Sequence, residues 1–220
     1  MSPTHRTGRS DEPRRRILDA AIEVFAERGF AGAGVDEIAR RAGINKAMLY
    51  YHIGDKAALY ATVVIETIEL IRTTIQENME GQSDPRDRLR ALLGAFLSVV
   101  QESPRYPQMM LRELADGWTN LPPEALQRLT GVLAITRAIL DDGRESGELR
   151  DVNPLLTHLL VVGSVLFMSA AQRLRGRAEA LGIVPSGTPT APEGLLEFLS
   201  DVLLNGIAEP QRFGGKSWID

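Results

Sequence analysis

Between Gly43 and Leu59 the chain reads Gly-Ile-Asn-Lys-Ala-Met-Leu-Tyr-Tyr-His-Ile-Gly-Asp-Lys-Ala-Ala-Leu, and this stretch limits the possible folds more than any other. It predicts a short helix after Asn45, a favoured N-cap, then a glycine break at Gly54 and a new helix capped by Asp55. A helix that short is not stable alone and must be held by its neighbours. At about 100° per residue, Leu49 and Ile53 share one side and face inward. Lys46, Ala47, Met48, Tyr50 and Tyr51 spread over the other side. The preceding helix, Val35 to Ala42, stops at Gly43. Asp36 and Glu37 lie in its first turn, where they favour the helix dipole. Helix, glycine turn and second helix form the helix-turn-helix plan, whose second helix enters a DNA major groove.

A cation and two phenols suit phosphate oxygens and base edges. The other reading of Tyr50 and Tyr51 is packing as half-buried aromatics on neighbouring helices. Lys46 and Lys56 beside them favour DNA contact. Lys56 opens its helix after Asp55 and is expected to reach a phosphate.

Several separated blocks carry a family likeness. They are Ile17-Leu18-Asp19-Ala20-Ala21, Phe25, Gly29-Phe30, Val35-Asp36-Glu37-Ile38-Ala39, Ala42-Gly43-Ile44, Leu49-Tyr50-Tyr51-His52, and Lys56 with Leu59. In this order and spacing, residues from about Arg14 to Leu59 resemble the N-terminal DNA-binding domain of TetR-type transcriptional regulators. Three positions depart from the family pattern. Gly34 stands where Thr is usual, Ile53 where Phe is usual, and Ala47 where Gly is frequent. Gly34 can cap a helix but brings no hydroxyl to a phosphate, while Ile53 keeps an apolar anchor. By this resemblance the DNA-binding residues are Gly34, Val35, Asn45, Lys46, Ala47, Met48, Tyr50, Tyr51, His52 and Lys56.

Charge agrees with one defined contact surface. The net charge is −4, which disfavours a protein that coats nucleic acid everywhere. Residues 1–56 hold ten Lys/Arg against eight Asp/Glu, and residues 57–220 hold fifteen against twenty-one. The basic excess therefore sits with the helix-turn-helix. With 44% hydrophobic and 25% charged residues, the composition is that of a soluble globular protein. There is no cysteine, hence no disulfide, thiol nucleophile or Cys-based metal site. The first ten residues contain no apolar run, so no signal peptide is expected, and the cytoplasm is the expected location.

The remaining chain reads as helices parted by Gly and Pro, with no strand alternation. Residues 1–12 read as a disordered arm, with the basic Arg6 and Arg9 in reach of a minor groove or simply solvated. Pro13 opens the first helix and Gly29 ends it. Further helices are expected from Lys56 to about Met79, from Arg86 to Val100, and around Met109 to Trp118. Three more follow, from Pro122-Pro123 to about Glu145, from Pro154 to about Ala180, and from Leu195 to Ile207. The expected fold is all-α, with three helices in a domain over residues 13–55 and about six in a ligand-binding and dimerisation domain over residues 56–209. Residues 182–194 read as a flexible connection and 210–220 as a polar tail.

Leu155 to Ala171 is apolar almost all round yet shorter than the ~20 residues of a membrane span, so no membrane association is expected. A helix buried on every side in a protein of this size implies a partner chain. TetR-type regulators dimerise through their last two long helices, so the resemblance places Leu159, Val162, Leu166, Leu199 and Leu203 in a homodimer interface. It also implies a small effector inside the C-terminal domain. Met is adaptable around varied apolar shapes. The expected pocket residues are Phe96, Val100, Met109, Met110, Leu114, Trp118 and Phe167, the alternative for each being ordinary core. Arg112 and Glu113 are polar candidates beside them, or face water.

Catalytic chemistry finds little support. Asp141-Asp142-Gly143-Arg144-Glu145 has the look of a magnesium cluster but lacks a facing carboxylate set, and reads as a charged helix end. His158 has no nearby Cys or His and reads as a core or interface histidine. No nucleophile elbow or phosphate loop occurs. The expectation is a non-enzyme without cofactor or metal: a ligand-responsive regulator, most plainly a repressor, binding a palindromic double-stranded operator as a homodimer. Alternatives are a helical small-molecule binder that has lost operator binding and, more weakly, a metal enzyme using Asp141 to Glu145.

Overall fold

The computed structural model describes residues 11–183 and 192–207, and among them the chain is helical with no β-strand. The helices are α1 (Asp11–Gly32), α2 (Val35–Ala42), α3 (Lys46–His52), α4 (Lys56–Met79) and α5 (Pro85–Glu102). They continue as α6 (Tyr106–Ala115), α7 (Pro123–Ser146), α8 (Pro154–Ala170), α9 (Gln172–Ala180) and α10 (Pro192–Ile207). The expected arm over residues 1–10, most of the 182–194 connection and the expected tail at 210–220 lie outside the described residues.

Local chemistry accounts for most boundaries. Asn45, Asp55, Asp84 and Asn153 each accept a backbone N–H in the first turn of the following helix. Pro85, Pro107, Pro123 and Pro154 occupy first turns, where the missing N–H costs nothing. Gly43 closes α2 in the left-handed region at φ 66, with Ile44 N–H returning to Ala39 carbonyl at 3.0 Å.

Four expectations need correction. First, α1 starts at Asp11, within the arm expected at 1–12, and helical turns resume beyond Gly29 as far as Gly32. Gly29 still breaks it, at φ 68 and ψ 176, a conformation that glycine adopts cheaply. Second, the helix expected from Pro154 to about Ala180 is divided. At Ala171 (φ −74, ψ −9) the backbone opens to turn geometry as the apolar run gives way to Gln172–Ala180. No Gly or Pro marks that place, so the described helices number ten. Third, α10 begins at Pro192, within the expected connection. Fourth, Trp118 follows α6 in a turn at φ 62, the left-handed region, on the cavity described below.

The core runs unbroken from the first three helices into the rest. Ile17, Ala21, Val24, Phe25, Ile38 and Leu49 are fully or almost fully buried, as are Leu59, Val64, Ile68 and Ile75 of α4. Each such Val, Leu, Ile or Phe side chain contributes roughly 1.5–3 kcal/mol by leaving water. α1 packs against α2, α4 and α6, and α4 packs against α5 and α7. α8 lies on α5, α6 and α7, and α10 on α5. No described helix is long and apolar enough to cross a membrane.

Gly143 shows close approach within this packing. A Cβ there would lie 2.6 Å from Cγ and 3.0 Å from Cβ of Leu149, whose N–H donates to the Gly143 carbonyl. Gly143→Ala is therefore expected to destabilise the fold by about 1–3 kcal/mol despite its better helix propensity. A urea unfolding midpoint unchanged or raised relative to wild type would contradict this packing.

Candidate functional site

α3 turns Leu49 wholly inward and leaves Tyr50 46% and Tyr51 86% exposed. Met48, Ala47, Lys46 and Asn45 are also exposed, and His52 is half-buried with its ring against Tyr51. Gly34 is exposed and Val35 half-buried at the start of α2. The expected DNA-binding residues of α3 thus occupy one outward surface. Lys46 Nζ lies 2.9 Å from Asp36 Oδ1 on α2, and this hydrogen bond raises the ammonium's pKa. Such an exposed pair is worth only ~0–1 kcal/mol, so a phosphate can compete for the lysine.

Lys56 is placed differently from the expectation. Its ammonium donates to the carbonyls of Phe30 at 2.9 Å, Ala33 at 3.2 Å and Ala31 at 3.4 Å, and lies 4.7 Å from the centre of the Phe30 ring. The end of α1 at Gly32 leaves carbonyls short of helical partners, and Lys56 supplies donors for them. An ammonium with three such acceptors is held away from a phosphate. The cation that sequence reasoning missed is Arg16. It is exposed, with no ion-pair partner among the described residues, and its Nη1 is 3.7 Å from where a Gly43 Cβ would sit, at the turn leading into α3.

The outer surfaces of α1 and α2 are joined through Arg41, which bonds Glu27 at 2.7 Å and Glu37 at 2.9 Å. Arg40 and then Arg41 hold the Glu37 carboxyl down at a pKa of about 2. These arginines are engaged internally, so the net positive charge of the region overstates the cations free for a ligand.

α6 connects this unit to the rest. Arg112 Nε donates to the Ala26 carbonyl at 2.8 Å and its Nη2 to the Glu27 carbonyl at 3.1 Å. Glu113, expected as a polar pocket candidate or a surface residue, is 2% exposed. It accepts from the Tyr60 hydroxyl at 2.8 Å, the Asn120 backbone N–H at 2.8 Å and the Asn120 amide at 3.0 Å. Tyr60 meets Phe25 and Phe30 edge-on. Burial, and then Glu113, raise the Tyr60 pKa and keep it a hydrogen-bond donor.

Behind α6 is an apolar cavity of about 80 Å³ between α4, α5, α6, α7 and α8. Of the expected pocket residues, Phe96, Val100, Met110 and Trp118 line it. Met109 is buried in the core beside it, without lining it. Leu114 and Phe167 face outward, at 52% and 67% exposure. The inward stripe of α6 is Tyr106, Met109, Met110 and Glu113, which leaves Leu114 outside; that of α8 is Thr157, Val161 and Val165, with Phe167 opposite. Val162 and Leu166, expected at a dimer interface, lie half-buried beside the inward stripe and line the cavity. Leu159 is exposed, Leu199 half-buried and Leu203 buried against α5 and α8. His158 and Tyr106 line the cavity too. The acidic run ends α7, with Asp142 ion-paired to Arg88, and no metal-binding group of three or more His, Asp or Glu occurs among the described residues.

Burial lowers the pKa of His158. The unfolded chain, with its imidazole near 6.5, then takes up the proton first, so the associated stability is complete above that value and falls as pH drops through it. Urea midpoints at pH 7.5 and 5.5 should show this loss, and His158→Phe should reduce it. The change stays below the ~1.4 kcal/mol per pH unit of one full proton.

Lys56 and Arg16 separate in a duplex-binding assay with parallel unfolding. Lys56→Ala should lower stability by on the order of 1–3 kcal/mol while sparing the salt slope. Arg16→Ala should leave stability nearly unchanged, weaken all duplexes about equally, and flatten the slope by about 0.9. The opposite pattern would return Lys56 to the phosphate.

Comparison with known proteins agrees with this arrangement. Residues 17–63, spanning α1 to the first turns of α4, match the family described as bacterial regulatory proteins, tetR family. The HTH-type transcriptional activator FasR of Mycolicibacterium smegmatis is 33% identical over 138 residues, which is 62% of this chain and 62% of that protein. The HTH-type transcriptional repressor NicS of Pseudomonas putida is 26% identical over 211 residues, 93% of this chain and 98% of its own. The ketosteroid transcriptional regulator KstR2 of Mycobacterium tuberculosis shares the fold at a TM-score of 0.71 and 18% identity, over 93% of this chain and 98% of that one. Over residues 17–63 the chain is similar to the tetR family of bacterial regulatory proteins, and the relatives it resembles are HTH-type transcriptional regulators.

Proposed function

We propose that this chain is a ligand-responsive transcriptional repressor that acts in the cytoplasm as a homodimer on a two-fold DNA operator. The observation that carries the proposal is the outward face of α3, where Lys46, Tyr50 and Tyr51 stand exposed opposite the buried Leu49. Lys46 and Arg16 would hold phosphates, and Tyr50 and Tyr51 would meet the groove. Gly34, Val35, Asn45, Ala47, Met48 and His52 complete the proposed surface. Repression rather than activation is favoured by the repressor relative that aligns over nearly the whole chain. Titrating selected and scrambled duplexes over a range of salt tests this reading. Two recognition helices should read half-sites about 34–36 Å apart or a multiple of that, with affinity falling steeply as salt rises. Equal affinity for both duplexes at every salt would end it.

The homodimer is supported by the outer side of α8 and α10. Leu155, Leu156, Leu159, Leu160, Phe167, Phe198 and Val202 are each between 48% and 67% exposed, and large apolar surface of this kind marks an interface. Leu159→Asp would bring an unpaired carboxylate into that contact and should yield monomer by sedimentation. A wild-type protein that sediments as a monomer at micromolar concentration would remove the dimer.

The effector is proposed to enter the cavity behind α6. At about 80 Å³ the cavity is far below the ~300 Å³ or more of ordinary ligand pockets, so a ligand must push its walls apart. Tyr106 and Met110 form part of the wall, and Arg112 and Glu113 on the same helix hold α1 and α4. Moving α6 would therefore move the recognition helices, with a coupling of 1–3 kcal/mol that weakens operator binding roughly 5–150-fold. Arg112→Ala should leave ligand affinity nearly intact and shrink this weakening. An unchanged ligand effect on the operator would place the coupling elsewhere.

A further inference from the structure

We propose that the cavity recognises a neutral, largely apolar molecule by a carbonyl oxygen, which accepts a hydrogen bond from the Nε2–H of His158. The proposal rests on the reading of this cavity as the effector site and adds the chemistry of what it selects. His158 is held by α7. Thr136 is fully buried, and its Oγ1 lies 2.8 Å from His158 Nδ1. Other buried or half-buried hydroxyls on these helices, at Thr62, Thr67 and Ser98, donate to the carbonyl four residues earlier. Thr136 makes no such bond among the described residues, so its proton is free for Nδ1. Nδ1 then accepts, and the proton of the neutral imidazole sits on Nε2.

The rest of the lining sets the remaining chemistry. Beyond His158, only Tyr106 and Trp118 bring side-chain N–H or O–H groups to the cavity, and both can donate. Tyr106 is 4% exposed and lines the cavity. No Lys or Arg lines the cavity, so a carboxylate would enter without a counter-charge, at a cost greater than that for a neutral oxygen. Ile68, Val132 and Leu166 offer only apolar surface. A site of donors set in hydrocarbon matches an apolar body with one acceptor: a ketone, ester, thioester or lactone.

The test uses three probes of one size, acetophenone, ethylbenzene and benzoate, titrated into the full chain by tryptophan fluorescence and thermal shift. Acetophenone is better solvated than ethylbenzene, so it binds more tightly only if the site supplies a donor. Acetophenone is expected to bind about ten-fold tighter than ethylbenzene, with benzoate weakest. His158→Phe should abolish the preference while ethylbenzene still binds, which shows the cavity intact. Thr136→Val, close in shape, should reduce the preference by freeing the tautomer. In ¹⁵N-histidine-labelled wild type, NMR should find the Nε2–H form of His158. The proposal is overturned by equal binding of acetophenone and ethylbenzene, by tightest binding of benzoate, by no binding of any probe, by a preference that survives His158→Phe, or by the Nδ1–H form. Operator titration with acetophenone present is a separate arm. A His158-dependent preference with unchanged operator affinity would leave the carbonyl site standing and remove its role as effector site.

Discussion

The broken end of α1 depends on two long cationic side chains from elsewhere in the molecule. Gly29 leaves the helical path at φ 68, and carbonyls on either side of it lose helical donors. Arg112 of α6 takes those of Ala26 and Glu27, and Lys56 of α4 takes those of Phe30, Ala31 and Ala33. Hydrogen bonds from a charged donor each contribute roughly 1.5–3 kcal/mol, less where water reaches them, so together they hold both residues in place. The two bonds fix α1 relative to α4 and α6. They also place the α1–α2 turn, on which α2 and α3 rest. Phe25, Phe30 and Tyr60 fill the space between, and the Tyr60 hydroxyl ties that aromatic group to Glu113.

This arrangement makes α6 a junction. Within eight residues it presents Tyr106 and Met110 to a cavity, Arg112 to α1 and Glu113 to α4. The cavity is small and apolar, whereas the clamps are polar and directional. Displacing α6 by a fraction of a helical turn costs little in apolar contact but strains hydrogen bonds with narrow geometric tolerance. Packed elements of this kind move between discrete arrangements, which is what a two-state response requires.

α8 serves two environments at once. Thr157, Val161 and Val165 enter the core, while Leu156, Leu159, Leu160 and Phe167 remain on the surface. The cavity takes the edge between them, through His158, Val162 and Leu166. One apolar helix can therefore wall a pocket and present an outer face, and a load on one side is transmitted to the other through a single rigid element.

Much of this was legible in the sequence because its signals are local. Gly43, Asn45 and Asp55 determine helix ends through bonds to their own neighbours, and the first-turn prolines through their fixed φ and missing N–H. The inward Leu49 and outward Tyr50 and Tyr51 follow from helical period alone. Tertiary structure decided the rest. Val162 and Leu166 are as apolar as Leu159, and only the rotation of α8 sends them to the cavity. Glu113 reads as a pocket candidate or a surface acid until Tyr60 and Asn120 converge on it. Lys56 reads as a phosphate ligand until the carbonyls beyond Gly29 arrive beneath its ammonium. His158 gains a hydrogen-bond partner only when Thr136, twenty-two residues earlier, is brought to its Nδ1. Periodicity reports which side of a helix is apolar; what a polar group at the end of a long side chain will meet depends on the partner that folding brings to it.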